Sequence, residues 1–225
     1  MQGVLVNVGD PSACASLDEW SLRWIKEEPR YRALGVRQHQ DPEFETFTYG
    51  DYPWKPAKVN LAKMALGDWI FFNETLIVAG AKLRFVIACF HITERVGYAE
   101  LVASGLLDDP RYAGNAHVHR NRLIPESDVR FAVWRGGVGS RLLAEPLLMD
   151  RAFIEELGLL SQTGDRWDWG QRNIHGQPFT ELQLIGFHTR ATRALSDEQT
   201  RWLLSVLSEI PARRELVSDP SRTPA

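Results

Sequence analysis

The chain is short of cysteine, of net positive charge and of long apolar runs, and each shortage removes a class of protein. Its 225 residues include two cysteines, Cys14 and Cys89, far apart in the chain. That excludes a disulfide framework and a paired-cysteine zinc site. Cys89 lies inside an apolar run, where a thiol is expected to be inert core. The net charge is −3 and the pI about 6.1. This argues against a protein that holds long nucleic acid by neutralising phosphates alone. No apolar run is long enough to span a membrane, and Phe85–Phe90 has the length of a buried strand. The first residues, Met1 to Val8, lack the basic start and apolar stretch of a secretion signal. No membrane partner is expected, and the expected location is cytoplasmic. No serine sits in a G-x-S-x-G frame, so no nucleophile elbow is present.

What remains is ordinary in bulk and unusual in detail. Hydrophobic residues make up 44% and charged residues 24%, enough apolar material for a sizeable core. Eight tryptophans is a high number. Each indole N–H needs a partner when buried, so they cannot all be filler. Local basic faces exist at Lys55, Lys58 and Lys63, and at Arg111, His117, His119, Arg120 and Arg122.

Patterning predicts mixed α and β elements. Val4, Leu5, Val6 and Val8 give a buried first strand leaving through Gly9-Asp10-Pro11. Leu17, Trp20, Trp24 and Ile25 recur at helical spacing over Asp18–Lys26, with Pro29 as the stop. Phe44–Tyr49 alternates like a strand, and Ala57–Leu66 suits a helix ended by Gly67. Trp69–Val78 and Leu83–Thr93 form a predicted hairpin about Ala79-Gly80-Ala81. Tyr98–Leu107 reads as helix, Asp108–Arg122 as polar loop, Val129–Arg135 as strand and Ala152–Leu160 as helix. Gly164–Gly176 is a tryptophan-rich loop, and Phe179–His188 a strand. Ser196 and Gln199 make a capping box for a last helix through Ile210, and the tail from Pro211 is expected to fray. The fold class is therefore α+β, a mixed and curved sheet with packed helices, for which the PUA-like resemblance described below implies a barrel. Residues Met1–Arg190 are expected to form the main domain, with the last helix and tail of Ala191–Ala225 packed on it.

The richest stretch is Asp41-Pro42-Glu43-Phe44-Glu45-Thr46-Phe47-Thr48-Tyr49-Gly50-Asp51, followed later by Gly67-Asp68-Trp69-Ile70-Phe71-Phe72-Asn73. Acids and amides among flat rings suit a planar polar ligand such as a nucleobase. Tyr49, Trp54, Trp69 and Phe71 are candidates for stacking, and Glu45 and Asn73 for reading a base edge. Asp41, Glu43 and Asp51, with His117 or His119, are candidates for acid–base catalysis. Singly, Asp41 before a proline and Asp68 after a glycine are standard turn positions. His117-x-His119 would share a face in a strand, but no third ligand is apparent, so no metal is expected. Gly136-Gly137-Val138-Gly139-Ser140 has neither the frame of a dinucleotide loop nor a P-loop lysine. Its flanking Arg135 and Arg141, with Arg120, are nevertheless the candidate phosphate contacts. Nothing implies a cofactor.

Four segments together resemble the nucleotide-modification-associated domain family, third type: Val4-Leu5-Val6-Asn7-Val8-Gly9, the Asp41–Asp51 run, Leu66-Gly67-Asp68-Trp69-Ile70-Phe71-Phe72, and Asn115-Ala116-His117-Val118-His119-Arg120. The resemblance implies a context of DNA base modification or restriction rather than a mechanism. The Gly67-Asp68 turn before an aromatic strand is also similar to that of PUA-like base-reading folds of the EVE, YTH and ASCH group. The resemblance implies recognition of a modified base or nucleotide. Beside it stand an enzyme acting on a nucleotide or nucleotide-sugar by carboxylate–histidine chemistry, and a protein-interaction module using Trp167 and Trp169. A nucleotide or nucleic acid is the expected partner.

Overall fold

The computed structural model describes residues 1–9, 14–25, 29–33, 41–123 and 130–218. Strand β1 (Gly3–Asn7) lies between β3 (Trp69–Val78), which it pairs in parallel, and β7 (Arg193–Leu195), which it pairs antiparallel. Val4, Val6 and Val8 enter one core and Leu5 another. A strand buried on both faces has to be apolar at every position, hence the β-branched run.

Strand β3 turns at Ala79-Gly80, both at positive φ, into the 17-residue β4 (Ala81–Gly97), so the predicted hairpin is present. Strand β4 is the spine of the sheet. One edge carries β3. The other carries β6 (Arg141–Leu148) along Phe85–Cys89 and then β5 (Ala132–Gly136) along Ile92–Gly97. Strand β2 (Thr48–Asp51) adds to β5, and β8 (Ala212–Glu215) adds to β6. The eight-stranded mixed sheet runs β2-β5-β4-β3-β1-β7 with β6 and β8 off that path. It is not closed, and register shifts at four of its pairings bend it. The α+β class with a mixed sheet and packed helices holds.

The glycine run has a different job from holding phosphate. It lies where the chain leaves β5 and joins β6 along the same edge of β4. Gly137 donates its amide to the His91 carbonyl at 2.7 Å, and Ser140 Oγ accepts from the His91 amide at 3.0 Å. A Cβ on Gly137 would fall 2.1 Å from Thr93 Cγ2. Close packing against β4 requires glycine there.

Helices α1 (Pro29–Ala33) and α2 (Val59–Ala62) are short. On one face of the sheet Trp20, Trp24, Phe44 and Phe47 pack on Ile70, Phe72 and Phe90. Helices α3 (Tyr98–Ala103), α4 (Pro110–Ala113) and α5 (Ala116–Leu123) enclose a smaller core of Val96, Tyr112, Val118, Phe131 and Val133. The opposite face is covered by α6 (Arg151–Leu157), α7 (Glu181–His188) and α8 (Asp197–Ser208), over Leu5, Phe71, Val86 and Cys89. Phe71, Phe72, Phe90 and Trp134 are fully buried, each worth roughly 2–3 kcal/mol of apolar transfer.

Several predicted elements are corrected. The helix over Asp18–Lys26 is a single 3-10 turn, Trp20–Arg23, because Arg23 and Trp24 turn away to Glu74, and Pro29 begins α1 instead of stopping a helix. Phe44–Phe47 is a turn with Phe47 at φ 53°, held by Glu43, and the strand starts at Thr48. The helix over Ala57–Leu66 is a 3-10 turn, Pro56–Lys58, followed by α2. The Asp108–Arg122 loop is largely α4 and α5. Phe179–His188 is helical, since Thr180 and Gln183 make a capping box that a strand reading overlooks. The tail is not frayed at its start, because β8 pairs with β6. Asp10 and Pro11 of the predicted exit turn, Lys26, Val129 and the tail beyond Ser218 lie outside the described residues.

Candidate functional site

Strand β2 carries Tyr49 and Asp51 on either side of Gly50, and the backbone of Gly50 captures Asp41. The Gly50 amide lies 2.8 and 3.0 Å from the two Asp41 carboxylate oxygens. Helix α5 docks on the same point. Asn115 precedes it, accepting on Oδ1 from the His117 and Val118 amides at 3.0 and 3.4 Å. Its Nδ2 donates to Asp41 at 3.2 Å and reaches Thr48 Oγ1 at 3.4 Å. Any Cβ at position 50 would lie 2.8 Å from Asn115 Oδ1 and from His117 Cδ2, so glycine is what lets helix and strand meet.

This packing puts His117 Nε2 3.2 Å from Asp41 Oδ2, both side chains buried. Burial pushes the Asp41 carboxyl up to about 6, with the charge of Asp51 adding to the rise, against the hydrogen bonds from His117 and Gly50. Asp51 goes the other way. Burial raises it, but the Lys58 ammonium at 2.8 Å, the Tyr49 hydroxyl and the Tyr52 amide at 2.7 Å together leave it below the usual carboxylate range. Burial and the two acids raise the Tyr49 phenol well above its ordinary value.

These groups line a cavity of about 380 Å³ at the C-terminal end of β1, within the span of small-molecule sites. Asn7, Val8 and Gly9 close one side, and Arg23, Tyr52 and Lys55 are also on its wall. Arg23 forms a buried ion pair with Glu74, whose other oxygen accepts from Trp24 Nε1 at 3.1 Å. Burial lifts Glu74 to about 7 against the pull of Arg23 and Trp24. Next to the Tyr52 and Lys55 of this wall, and so at its rim, Trp54 is half exposed, 6.3 Å from Tyr52 ring to ring, with the guanidinium of Arg130 4.1 Å from its ring centroid and Lys55 Nζ 4.1 Å from that of Tyr52.

Of the sequence-predicted residues, Asp41, Tyr49, Asp51 and His117 converge here. Glu43 does not: it is buried in its own turn, accepting from the Glu45 and Thr46 amides at 2.6 and 2.8 Å. His119 and Arg120 are exposed on α5, with His119 away from the buried His117, so a helix separates what a strand would have aligned. Among the described residues no group of three His, Cys, Asp or Glu gathers to hold a metal ion. Glu45 is exposed on the turn. The four rings expected to make one wall are dispersed. Tyr49 lies in the first core, Phe71 in the second, Trp69 stacks on His91 at 4.8 Å, and Trp54 is at the rim. Asn73 is fully buried between β1 and β4, with no hydrogen-bond partner for its amide among the described residues.

The three phosphate candidates are also separate. Arg135 pairs with Glu94 at 3.8 Å, and Arg141 binds the Leu207 carbonyl at 3.0 Å and Glu215 at 3.1 Å. Sequence reasoning missed Asn7, Arg23, Asn115 and Lys58 as site residues. Asn7, Asn115 and Lys58 had a signal, the first in the Val4–Gly9 segment of the resemblance, the second beside His117 and the third in the Lys55–Lys63 cluster; Arg23 had none.

No protein-family model matches the chain, and no curated protein matches it. Among solved structures, the N-terminal domain of Thermococcus gammatolerans McrB bound to m5C DNA is similar over 93% of this chain and 98% of that one. The identity is 11% and the TM-score 0.32, a likeness too slight to bear on the reading of the site. No helix among the described residues is long and apolar enough to cross a membrane.

Proposed function

We propose that the chain binds a nucleobase-bearing ligand in the Asp41–His117 cavity and acts on it by acid–base chemistry, in the setting of nucleic-acid base modification. The observation that carries this reading is the pair of carboxylates around Gly50 driven apart by their surroundings. Asp41 is raised to about 6 beside His117, while Asp51 is kept ionised by Lys58. Two acids with opposed shifts in one cavity are what divides acid from base roles at neutral pH. Asp41 exchanges the proton, and His117 hydrogen-bonds the carboxylate and sets its orientation. The Asp51–Lys58 pair offers an acceptor and a donor to a base edge. The resemblance to the nucleotide-modification-associated family supports the ligand class, because Asn7, Asp41, Tyr49, Asp51 and His117 all belong to its motifs and line this cavity.

A second reading, recognition without turnover, has its own observation. The rim is aromatic and basic, with Trp54 and Tyr52 beneath Arg130 and Lys55, a surface on which an unpaired base can stack.

The test is a thermal-shift screen of the purified protein against nucleotides, modified nucleotides and short single- and double-stranded oligonucleotides. Mass-spectrometric analysis of the incubated ligands follows. Catalysis predicts a shift with one class and conversion of that ligand, with conversion lost and binding kept in Asp41→Asn. Binding with no conversion selects the recognition reading. No shift with any ligand, or a shift indifferent to Asp51→Asn and Asp41→Asn, would remove the cavity from both.

A further inference from the structure

A second cavity, of about 610 Å³, lies on the other side of Asn7-Val8-Gly9, between β3, β4 and helix α7. Its charge balance differs from that of the first. Lys82, Arg84 and Arg190 are on its wall with one acid, Glu74, and that carboxylate is engaged by Arg23 and Trp24. Arg84 is the central group. It is more than nine-tenths buried, and its Nη1 donates to Asn7 Oδ1, a neutral acceptor. Its Nε has no acceptor among the described residues. A buried guanidinium with an unmatched donor is costly, and structures rarely keep one without a use. Arg190 lies on the same wall; burial pushes the Arg84 guanidinium down to about 10, against the favourable charge of Glu74, and the charge of Arg190 adds a smaller push in the same direction.

Position 186 adds an independent sign. Gly186 lies inside α7, where glycine is a poor helix former. A Cβ there would stand 3.8 Å from Arg84 Nη2, in ordinary contact. Steric need therefore does not explain the glycine, and its effect is to leave the guanidinium facing the cavity. The rest of the wall includes Phe179 and Phe187, whose rings stack at 5.8 Å.

We propose that this second cavity is an anion site for a phosphate group, with Arg84 and Arg190 as its two guanidinium contacts. Paired guanidinium forks match the oxygens of phosphate, and a dianion relieves the repulsion between two arginines better than a single carboxylate charge. The phosphate is that of a nucleotide or of a nucleic-acid strand. The site stands apart from the Asp41–His117 reading, since it shares with it only the Asn7–Gly9 wall.

The probe is inorganic phosphate, titrated into the full chain at low ionic strength in a non-phosphate buffer and followed by 31P NMR and calorimetry. Arg190→Glu, an exposed change, is expected to weaken binding at least tenfold. Gly186→Asp places a carboxylate against Arg84 and is expected to abolish binding while leaving the melting temperature unchanged or higher. Asp41→Asn in the first cavity is expected to leave the affinity unaltered. Absence of phosphate binding to the wild type would overturn the proposal, as would equal affinity in Arg190→Glu and Gly186→Asp, or acetate binding as tightly as phosphate. A nucleoside monophosphate and a short oligonucleotide, compared as competitors, then assign the source. Stronger competition by the first identifies a free nucleotide, and stronger, steeply salt-dependent competition by the second a strand.

Discussion

In the cavity around Gly50 both carboxylates have their own partners within the wall. Asp41 meets His117 and Asn115, and Asp51 meets Lys58 and Tyr49. In the cavity beneath α7, Lys82, Arg84 and Arg190 share the wall with one acid, Glu74, which also pairs with Arg23. The two spaces share the end of β1, and the Arg23–Glu74 pair joins them, with Arg23 on one wall and Glu74 on the other. Gly9, at φ 92°, passes over the pair so closely that a Cβ would sit 2.9 Å from Glu74 Oε1. A matched site tunes protons and an unmatched one waits for a counter-charge. On the two proposals made above, one strand end would divide proton handling from charge holding.

The most forceful way to break the division is to remove its partition. Glu74→Ala strands the buried Arg23 charge and is expected to cost about 3–5 kcal/mol in urea unfolding. If Glu74→Ala unfolds within 1 kcal/mol of wild type, roughly the worth of an exposed pair, the Arg23–Glu74 bridge is not the structural divide described.

Acidity separates the two cavities next. The raised pKa means that the folded protein holds the Asp41 proton more tightly than the unfolded chain does. This stabilisation is complete below about pH 4 and is lost as the pH rises through about 6. It amounts to roughly 2–3 kcal/mol. Stability of the wild type relative to Asp41→Asn should therefore fall across that window, measured by urea unfolding at each pH. Parallel curves would show that Asp41 titrates normally and would return it to a turn-holding role.

The cavity around Gly50 was partly legible in the sequence because its two carboxylates come from one contiguous run. Asp41, Tyr49, Gly50 and Asp51 lie within eleven residues, and Asn115 and His117 within three. The second cavity was not, because Asn7, Arg84, Gly186 and Arg190 meet only when β1, β4 and α7 pack together, and no local period announces them. The hairpin of β3 and β4 was legible from alternation and a glycine turn. Helix α7 was misread as a strand because Leu182, Leu184 and Ile185 are too short a run for period alone to decide, and the Thr180–Gln183 cap that decides it is a local hydrogen-bond pattern. The dispersed aromatic wall failed for a related reason. Alternation along β3 sends Trp69 and Phe71 to the face opposite Tyr49, a consequence of pleating that residue type does not reveal.

A smaller change sharpens the matched side. Tyr49→Phe removes a donor from Asp51 while keeping the ring packed on Phe72 at 5.1 Å. The expected loss is about 1 kcal/mol, with the Asp51 carboxyl moving upward. Unfolding and side-chain carboxyl NMR titration read the two effects. An unmoved Asp51 would assign its low value to Lys58 and the Tyr52 amide.

The smallest effect on stability belongs to the rim. Trp54 is half exposed, and its contacts are the cations of Arg130 and Lys55 and the edge of Tyr52 at 6.3 Å. Trp54→Ala should change stability by less than about 0.5 kcal/mol, as surface changes usually do. A base stacked on it would lose roughly 1–3 kcal/mol of binding, or about 5- to 150-fold in affinity. Trp54→Phe should restore part of that loss, because a flat face remains, and Trp54→Leu should not, because bulk without a π-face does not stack. Fluorescence titration of the ligand found in the thermal screen measures all three. Equal affinity in Trp54→Phe and Trp54→Leu would mean that the rim shields the cavity from water without touching the base, and recognition would then rest on Asp51 and Lys58 within.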